Sequence, residues 1–259
     1  MNVLSLFISE TSIKPVEPKL KKGQYIGSQN CVVNSNETHV LRKDINWLEF
    51  KNYINSHFKN YPKVNTYNYA CSNGIEPLCI SIMLQATNEK PEKFFPIYGI
   101  DIEKDIVKDN IKNQNRHLSQ EDTMRITSFL ECLGKNPSEY ISKGEWGNTF
   151  SNKTSAPIKY RCANILDDID FIDSKNPSLV LCRNMWPYIK PNEYLPYAQK
   201  LYDKLAKGSC VVLGLFDYKG NNHAHSNTFP KALEEAGFEI YPYPTGTTSG
   251  FTRLIFEKN

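Results

Sequence analysis

The chain has 259 residues, of which 40% are hydrophobic and 23% charged, and its formal net charge is +3 at pH 7. These values are ordinary for a globular protein with a buried core, and they argue against a polyanion-binding protein or an acidic tail. The seven cysteines form no C-x-x-C pair and no metal-like grouping, which indicates free thiols in a reducing compartment. No apolar run is long enough to span a bilayer, and the first residues lack the basic region of a signal peptide. The sequence therefore predicts a cytoplasmic protein with no membrane partner.

The first half of the chain is predicted to alternate between helix and strand after 43 irregular residues, in which prolines and glycines interrupt every period. Asp44 is the expected cap of the first helix. The helix over 76–86 is apolar on nearly all sides, so we expect it to be deeply buried. In chain order the predicted elements are a helix over 45–58, a strand over 64–69, a helix over 76–86, a strand over 95–101 and a helix over 102–112.

The second half begins with an excursion from the core over residues 113–155, and the alternation then resumes. The run at 211–216 is apolar without alternation, which is typical of a central parallel strand. The last two strands are separated by a short connection and must therefore be antiparallel. The elements are strands over 158–164 and 178–184, a helix over 191–205, a strand over 211–216, a helix over 229–236, and strands over 238–243 and 251–256. This order predicts an α/β fold: a Rossmann-like seven-stranded, mostly parallel sheet with helices on both faces and a C-terminal antiparallel hairpin.

The first strand–turn–helix–strand unit is typical of a nucleoside site. The turn contains Gly74, which would let the backbone approach a ligand, and the second strand ends in Asp101, whose carboxylate could accept both ribose hydroxyls. A single glycine is a weaker signal than G-x-G-x-x-G, so an ordinary βαβ unit remains the alternative. Asp101 as a helix cap fits less well, because Ile102 and Glu103 are predicted to be helical already.

Six short motifs lie along the chain in the order and spacing of one family. The fifth reads C-R-N followed by an aromatic-rich turn, and the sixth reads L-G-L-F-D. They occupy residues 36–42, 70–77, 99–101, 164–165, 182–188 and 213–217. The chain resembles the class I S-adenosylmethionine-dependent methyltransferases and, within them, the CheR-type chemotaxis receptor methyltransferases. The match covers residues 34 to 217.

The resemblance implies S-adenosyl-L-methionine as cofactor and S-adenosyl-L-homocysteine as product. It implies that Glu76 meets the cofactor ammonium, that Arg42 pairs with its carboxylate and that Tyr188 lies by the transferred methyl; Tyr188 and Arg42 are thus the catalytic candidates. The cofactor-binding candidates are Asn36, Thr38, Arg42, Ala70, Cys71, Ser72, Glu76, Asp101, Asn164, Ile165, Arg183 and Asn184.

Several of these residues have a structural alternative. Glu76 in a first helical turn also favours the helix dipole. Arg183 at a strand end needs either a ligand or an acidic partner, since a buried unpaired arginine is costly. Arg42 could be an ordinary surface residue, and Trp186 with Tyr188 could form an aromatic lid. His223 and His225 share a strand face but have no third metal ligand nearby, so no metal is expected.

The chain also departs from the family. We expect it to lack the N-terminal helical domain and the receptor-docking β-subdomain, so chemotaxis receptors are not the expected substrate. The predicted organisation is an irregular segment over 1–43 that covers the cofactor site, followed by a methyltransferase domain over 44–259.

The predicted function is transfer of a methyl group to a protein side chain, such as a carboxylate, or to a small molecule. A carboxylate needs no general base, and no histidine or acid is evident as one. The main alternative is a catalytically inactive sensor or scaffold that binds the cofactor. A nucleic-acid base methyltransferase lacks the required prolines and a basic face, and a nicotinamide dehydrogenase would need more glycines. The methyl acceptor is unknown from sequence.

Overall fold

The computed structural model describes residues 24–26, 32–34, 39–42, 45–218, 228–241 and 254–259. The chain divides into two compact units, residues 1–35 and 36–259, which are described separately. In the first unit, β1 (Gln24–Ile26) pairs antiparallel with β2 (Val32–Asn34). The prediction that all of the first 43 residues are irregular is therefore wrong at these two runs, which contain the strand-forming residues tyrosine, isoleucine and valine. That this segment covers a cofactor site stays a prediction.

The second unit alternates between strands and helices, as the sequence predicts. Its elements are α1 (Trp47–His57), β3 (Asn65–Tyr69), α2 (Ile75–Thr87), β4 (Ile97–Asp101), α3 (Lys104–Lys112), α4 (Gln120–Cys132), β5 (Ile141–Gly144), β6 (Gly147–Phe150), α5 (Asn152–Ser155), β7 (Ile158–Cys162), α6 (Ile165–Asp168), β8 (Ser178–Cys182), α7 (Tyr194–Lys204), β9 (Cys210–Val212), α8 (Phe229–Glu235), β10 (Glu239–Ile240) and β11 (Ile255–Glu257).

Seven of these strands form one sheet in the order β10-β11-β9-β8-β3-β4-β7. Strands β7, β4, β3, β8 and β9 are parallel, and β11 runs antiparallel to both β9 and β10. The fold class predicted from sequence is thus confirmed. The strand order reverses at β3, because the chain next builds β4 on one side and later β8 on the other. In open α/β sheets, ligands bind outside the carboxyl ends of the strands at such a switch point.

Each face of the sheet has its own hydrophobic core. Helices α1, α2 and α4 cover one face, and α2 is buried on nearly all sides, as expected from its apolar sequence. Helices α6, α7 and α8 cover the other face, around the fully buried Trp186. Residues along each central strand alternate between the two cores. In β8, for example, Leu179 and Leu181 face the first core, whereas Val180 and Cys182 face the second.

Three local predictions differ from the structure. Helix α1 is capped by Asn46, whose side chain accepts a hydrogen bond from the Glu49 N–H at 3.2 Å, and Asp44 lies outside the described residues. The excursion over 113–155 contains a β5–β6 hairpin that the sequence did not predict. Strand β9 ends at Val212 instead of residue 216, because the chain turns there and Asp217 accepts the Gly214 N–H. Within the described ranges, no helix has the length and apolar character that crossing a membrane requires.

Candidate functional site

Backbone strain marks one end of the sheet. In the described part of the chain, the non-glycine residues with positive φ are Leu41 (46°), Ala70 (52°), Ser72 (50°) and Asn184 (58°). Ala70 and Ser72 follow β3 and Asn184 follows β8, so three of the four lie at the carboxyl ends of adjacent strands. Strained non-glycine residues cost free energy and cluster at functional sites. The carboxyl edge around β3, which is also the switch point, is therefore the candidate site.

The bend after β3 is held by hydrogen bonds from two sides. The Cys71 N–H donates to the Ile100 carbonyl at 3.1 Å, and the side-chain amide of Asn110 donates to the Ser72 carbonyl at 2.7 Å. Asn110 lies in α3, is fully buried and is itself contacted by Arg116. Sequence reasoning missed Asn110; the available signal was a polar residue on the buried side of an amphipathic helix. It fixes the strained conformation of the bend.

Gly74 is required by the protein's own packing. Its φ is +76°, and a Cβ atom at this position would lie 2.6 Å from the hydroxyl of Tyr160, which in turn donates to the Gly74 carbonyl at 3.2 Å. The same tyrosine leaves no room for a Cβ at Gly99 in the adjacent strand. The two glycines of the predicted nucleoside motif thus make space for a tyrosine from β7, a reason that the sequence pattern did not reveal.

Asp101 lies at the tip of β4 beside the bend, as the sequence predicts. Its side chain is 8% exposed and accepts the Ser72 N–H at 2.8 Å and the Glu103 N–H at 3.0 Å. Burial raises the pKa of Asp101 above its ordinary value, although these backbone hydrogen bonds oppose the rise. Helix α3 begins only at Lys104, so the objection to a capping role does not hold. An ionised carboxylate offers about four acceptor positions, so two donors leave capacity for ribose hydroxyls.

Glu76 and Arg183 form a buried ion pair. An Nη1–Oε2 distance of 2.5 Å joins them, and their side chains are 11% and 1% exposed. The amide of Asn68, in β3, donates to the other oxygen of Glu76 at 2.8 Å. The acidic partner expected for Arg183 is therefore Glu76. This pair connects the first turn of α2 to the end of β8 and holds the carboxylate expected to meet the cofactor ammonium.

The segment over 39–42 packs on α2 and α4. The Leu41 N–H donates to Cys79 Sγ at 3.3 Å, and Arg125 donates to the Val40 carbonyl at 3.3 Å. The Arg42 carbonyl accepts from Trp47 Nε1 at 3.1 Å, and the Arg42 side chain is half-buried. Its predicted contact with the cofactor carboxylate stays a prediction. The other two upstream candidates, Asn36 and Thr38, lie outside the described residues.

Asn164 and Ile165 lie beyond β7, next to the end of β4. The Asn164 side-chain oxygen accepts the Leu166 N–H at 3.1 Å and so caps α6. Ile165 is buried in the second core. Their expected adenine contacts stay predictions; the structure places both at the correct edge and gives each a structural role as well.

The two aromatic residues in the turn after β8, Trp186 and Tyr188, differ in burial, although the sequence analysis considered both for an aromatic lid. Trp186 is fully buried, stacks on Phe229 and donates from Nε1 to the Cys182 carbonyl at 3.1 Å. Tyr188 is 44% exposed at the same edge of the sheet. Trp186 is therefore an anchor in the core, and only Tyr188 is accessible to a substrate.

Asp217 is a second buried acid at this edge, and sequence reasoning assigned it no role. It is 3% exposed and accepts three backbone N–H groups, from Asn184 (2.7 Å), Gly214 (2.7 Å) and Trp186 (3.2 Å). Burial raises its pKa to about 6, and the three hydrogen bonds and the charge of Arg183 limit the rise. The available signal was its place in the sixth motif.

The fold and this edge define a Rossmann-like nucleoside-binding protein of the methyltransferase type. The CheR methyltransferase SAM-binding domain matches residues 36–230, and the chain belongs to that family. S-adenosyl-L-methionine is thus its cofactor, and the acceptor capacity of Asp101 beside the strained bend fits it. No curated protein matches the sequence. Among the described residues, no three His, Cys, Asp or Glu side chains are grouped as a metal site; His223 and His225 lie outside them.

Several solved structures are similar to the chain at low identity. The SAM-bound magnesium protoporphyrin IX methyltransferase ChlM from Synechocystis PCC 6803 is 14% identical with a TM-score of 0.40, over 82% of this chain and 76% of ChlM. The [4+2]-cyclase SpnF is 11% identical with a TM-score of 0.42, over 75% of this chain and 57% of SpnF. The bifunctional kinase-methyltransferase WbdD is 12% identical with a TM-score of 0.45, over 86% of this chain and 39% of WbdD.

Proposed function

We propose that this protein is an active S-adenosyl-L-methionine-dependent methyltransferase whose acceptor is a carboxylate of a protein side chain or small molecule. The observation that carries the proposal is the buried Asp101 carboxylate, tied to the strained bend by the Ser72 N–H at 2.8 Å. This arrangement presents a nucleoside-binding acid and the bend as one unit at the switch point of the sheet.

The proposed roles follow from where each side chain lies. When bound, S-adenosyl-L-methionine supplies an electrophilic methyl group. Asp101 accepts the ribose hydroxyls, the backbone of residues 70–72 lies along the amino-acid part, and Glu76 contacts its ammonium with a carboxylate already oriented by Arg183 and Asn68. The exposed Tyr188 orients the acceptor, since alignment supplies most of the rate in such a displacement.

A carboxylate acceptor is supported by the hydrogen bonds that the acids at this edge already accept from the protein. Each of Asp101, Glu76 and Asp217 already accepts hydrogen bonds from the protein, and each therefore serves to hold structure or cofactor. An amine or hydroxyl acceptor needs a base to remove its proton, whereas a carboxylate is nucleophilic at neutral pH. Transfer to a carboxylate would form an oxygen–carbon bond as the sulfur–methyl bond breaks, with S-adenosyl-L-homocysteine as the leaving group, and would require no proton movement.

The test is single-turnover transfer from methyl-labelled S-adenosyl-L-methionine into a cell lysate, with Asp101→Ala as the matched inactive control. We expect label in the acceptor fraction with the wild type only, and we expect mild base to release it as volatile methanol, as carboxyl methyl esters do. Base-stable label would exclude a carboxylate acceptor.

The second candidate is a sensor or scaffold that binds the cofactor without transferring its methyl group. The buried Arg183–Glu76 pair favours this candidate, because the Glu76 carboxylate already has a charged partner within the protein. Tight binding of S-adenosyl-L-homocysteine with no labelled product under single-turnover conditions would establish this candidate in place of the enzyme.

A further inference from the structure

We propose that Asp217 is a positioning residue for methyl transfer, which joins the turn after β8 to the turn after β9 and thereby sets where Asn184 and Tyr188 lie. The proposal rests on the proposed function, since it concerns the acceptor side of the same edge. Asp217 would not touch the cofactor or the acceptor; it would act through the backbone of the two turns.

The carboxylate accepts three backbone N–H groups from two turns that are distant from each other in sequence. One oxygen accepts the N–H groups of Asn184 and Gly214, both at 2.7 Å, and the other accepts the Trp186 N–H at 3.2 Å. The first and third lie in the turn after β8, and the second lies directly after β9. Because Tyr188 follows Trp186 in the same 3₁₀ turn, the carboxylate fixes the start of the segment that carries Tyr188.

The connection is reciprocal. The Asn184 side-chain oxygen accepts the Phe216 N–H at 3.2 Å, so each turn supplies one acceptor to the backbone of the other. A Cβ atom at Gly214 would lie 2.0 Å from that oxygen, so glycine is what lets the turns approach. Asn184 is held at a φ of +58°, which a free turn would not favour. The two turns therefore have one arrangement, and Asp217 is its largest single source of hydrogen bonds.

Asp217 is placed to hold structure rather than to remove a proton. Its 3% exposure and its three backbone donors keep a substrate away from both oxygens. An acceptor proton could reach it only after the two turns had separated. A general base needs hydrogen-bond contact with the proton that it takes, which this geometry denies.

The charge state of Asp217 affects how firmly its carboxylate joins the two turns. Its burial raises its pKa to about 6, opposed by the three N–H groups and by Arg183. Cys182 in β8 and Tyr194 in α7 also interact with its charge, while Lys231 and Glu235 of α8 face each other at 3.6 Å. Above pH 6 the ionised carboxylate accepts all three N–H groups. Below pH 6 the carboxyl group of Asp217 is protonated, so one of its oxygens donates a hydrogen bond instead of accepting one. The connection between the two turns is then weaker.

The decisive measurement is a pH titration of the wild-type full chain followed by amide NMR. We expect the amide resonances of Asn184, Trp186 and Gly214 to shift together with one midpoint near pH 6, and Asp217→Asn to abolish that shared transition. Asp203→Asn, an exposed change in α7, is the matched control and should retain it. Independent midpoints, or no titration of these amides, would overturn the proposal. The wild-type titration decides even if the variant fails to fold.

A transfer measurement separates this proposal from the function on which it rests. Asp217→Asn should lower the single-turnover transfer of labelled methyl by about 10- to 100-fold, the cost of a small misplacement, and should weaken the affinity for S-adenosyl-L-homocysteine by a smaller factor. Wild-type transfer should fall as the pH drops through 6. Equal transfer by the variant and the wild type overturns the positioning role. Absence of transfer by the wild type contradicts the proposed enzyme, while the shared amide titration is still decided.

Discussion

The two ends of the central sheet store buried charge in different ways. At the carboxyl end, Asp101 and Asp217 accept backbone N–H groups from neighbouring turns that contain the strained residues Ala70, Ser72 and Asn184. At the amino end, where a positive φ is needed before β9, the chain uses a glycine, Gly208 (φ +81°). The carboxyl end thus has non-glycine residues at positive φ, whereas the amino end has a glycine at the position before β9.

The buried charges of the amino end are satisfied by side chains. His57 Nδ1 lies 2.9 Å from Glu257 Oε1, and its Nε2 lies 2.9 Å from the Gly208 carbonyl, so both ring nitrogens face acceptors, which favours the protonated ring. The Tyr53 hydroxyl donates to the same Glu257 oxygen at 2.9 Å. This cluster fastens α1 to β11. The difference indicates that the amino end serves stability, whereas the carboxyl end gives up stability for a site.

The largest expected effect is on the ion pair that crosses the carboxyl end. Glu76→Leu leaves the Arg183 charge buried without its carboxylate, and we expect the free energy of unfolding to fall by about 3–5 kcal/mol in urea titrations. The double change Glu76→Leu with Arg183→Met should recover most of the loss, because it removes both charges. The control is Glu139→Leu, which breaks an exposed pair with Lys153 and should cost much less than Glu76→Leu, because water screens that pair. Equal losses would mean that burial does not determine what breaking each pair costs.

The next effect concerns ligand affinity. Asp101→Ala removes the carboxylate that we propose accepts the two ribose hydroxyls, and it should weaken S-adenosyl-L-homocysteine binding by about 100-fold or more in calorimetry. Asp105→Ala, which changes a fully exposed acid in the first turn of α3, should leave the affinity unchanged. An unchanged affinity in Asp101→Ala would place the nucleoside elsewhere.

A smaller effect tests the contact between the two turns. Gly214→Ala forces a Cβ against the Asn184 side chain and should cost about 1–3 kcal/mol of unfolding free energy. Adding Asn184→Gly should restore stability, because it removes the obstructing amide and suits the positive φ. Gly134→Ala, which meets no atom within 4 Å, measures the cost of a positive φ alone. If Asn184→Gly gives no recovery, the clash is not the cause.

The smallest effect tests the amino end. Burial lowers the pKa of His57, but the hydrogen bonds to Glu257 and Gly208 and the charge of Glu257 outweigh it, so the pKa is raised above 6.5. The stabilisation is therefore complete below pH 6.5 and is lost as the pH rises through the raised pKa. His57→Gln should remove about 1 kcal/mol of unfolding free energy at pH 6 and less at pH 9. His117→Gln, at an exposed position, is the matched control and should leave the free energy of unfolding at pH 6 nearly unchanged.

The sequence predicted the fold and the position of Asp101, but it indicated no role for Asp217. Both outcomes have physical causes. Apolar runs and turn residues identify the strands and helices, and a strand-terminal acid beside a bend identifies Asp101. Asp217 and Asn110 escaped because their partners are backbone groups of other segments, which no local pattern records. Trp186 and Tyr188 looked equivalent in sequence, and only the packing of Phe229 on Trp186 distinguishes them. Gly74 also makes room for the Tyr160 ring, a packing reason that no local pattern records, and its expected approach to a ligand stays a prediction.

The thiol of Cys162 makes the carboxyl end experimentally accessible. Cys162 ends β7, is exposed, and its Sγ lies 3.5 Å from the carbonyl of Ile102, the residue after Asp101. By contrast Cys71, Cys79, Cys182 and Cys210 are buried and their thiol pKa values are raised by burial, so they resist alkylation. Cys132 is exposed as well and Cys31 lies outside the described residues, so both would first be changed to serine. A maleimide fluorophore on Cys162 would then report nucleoside arrival through its emission, without any engineered residue next to Asp101.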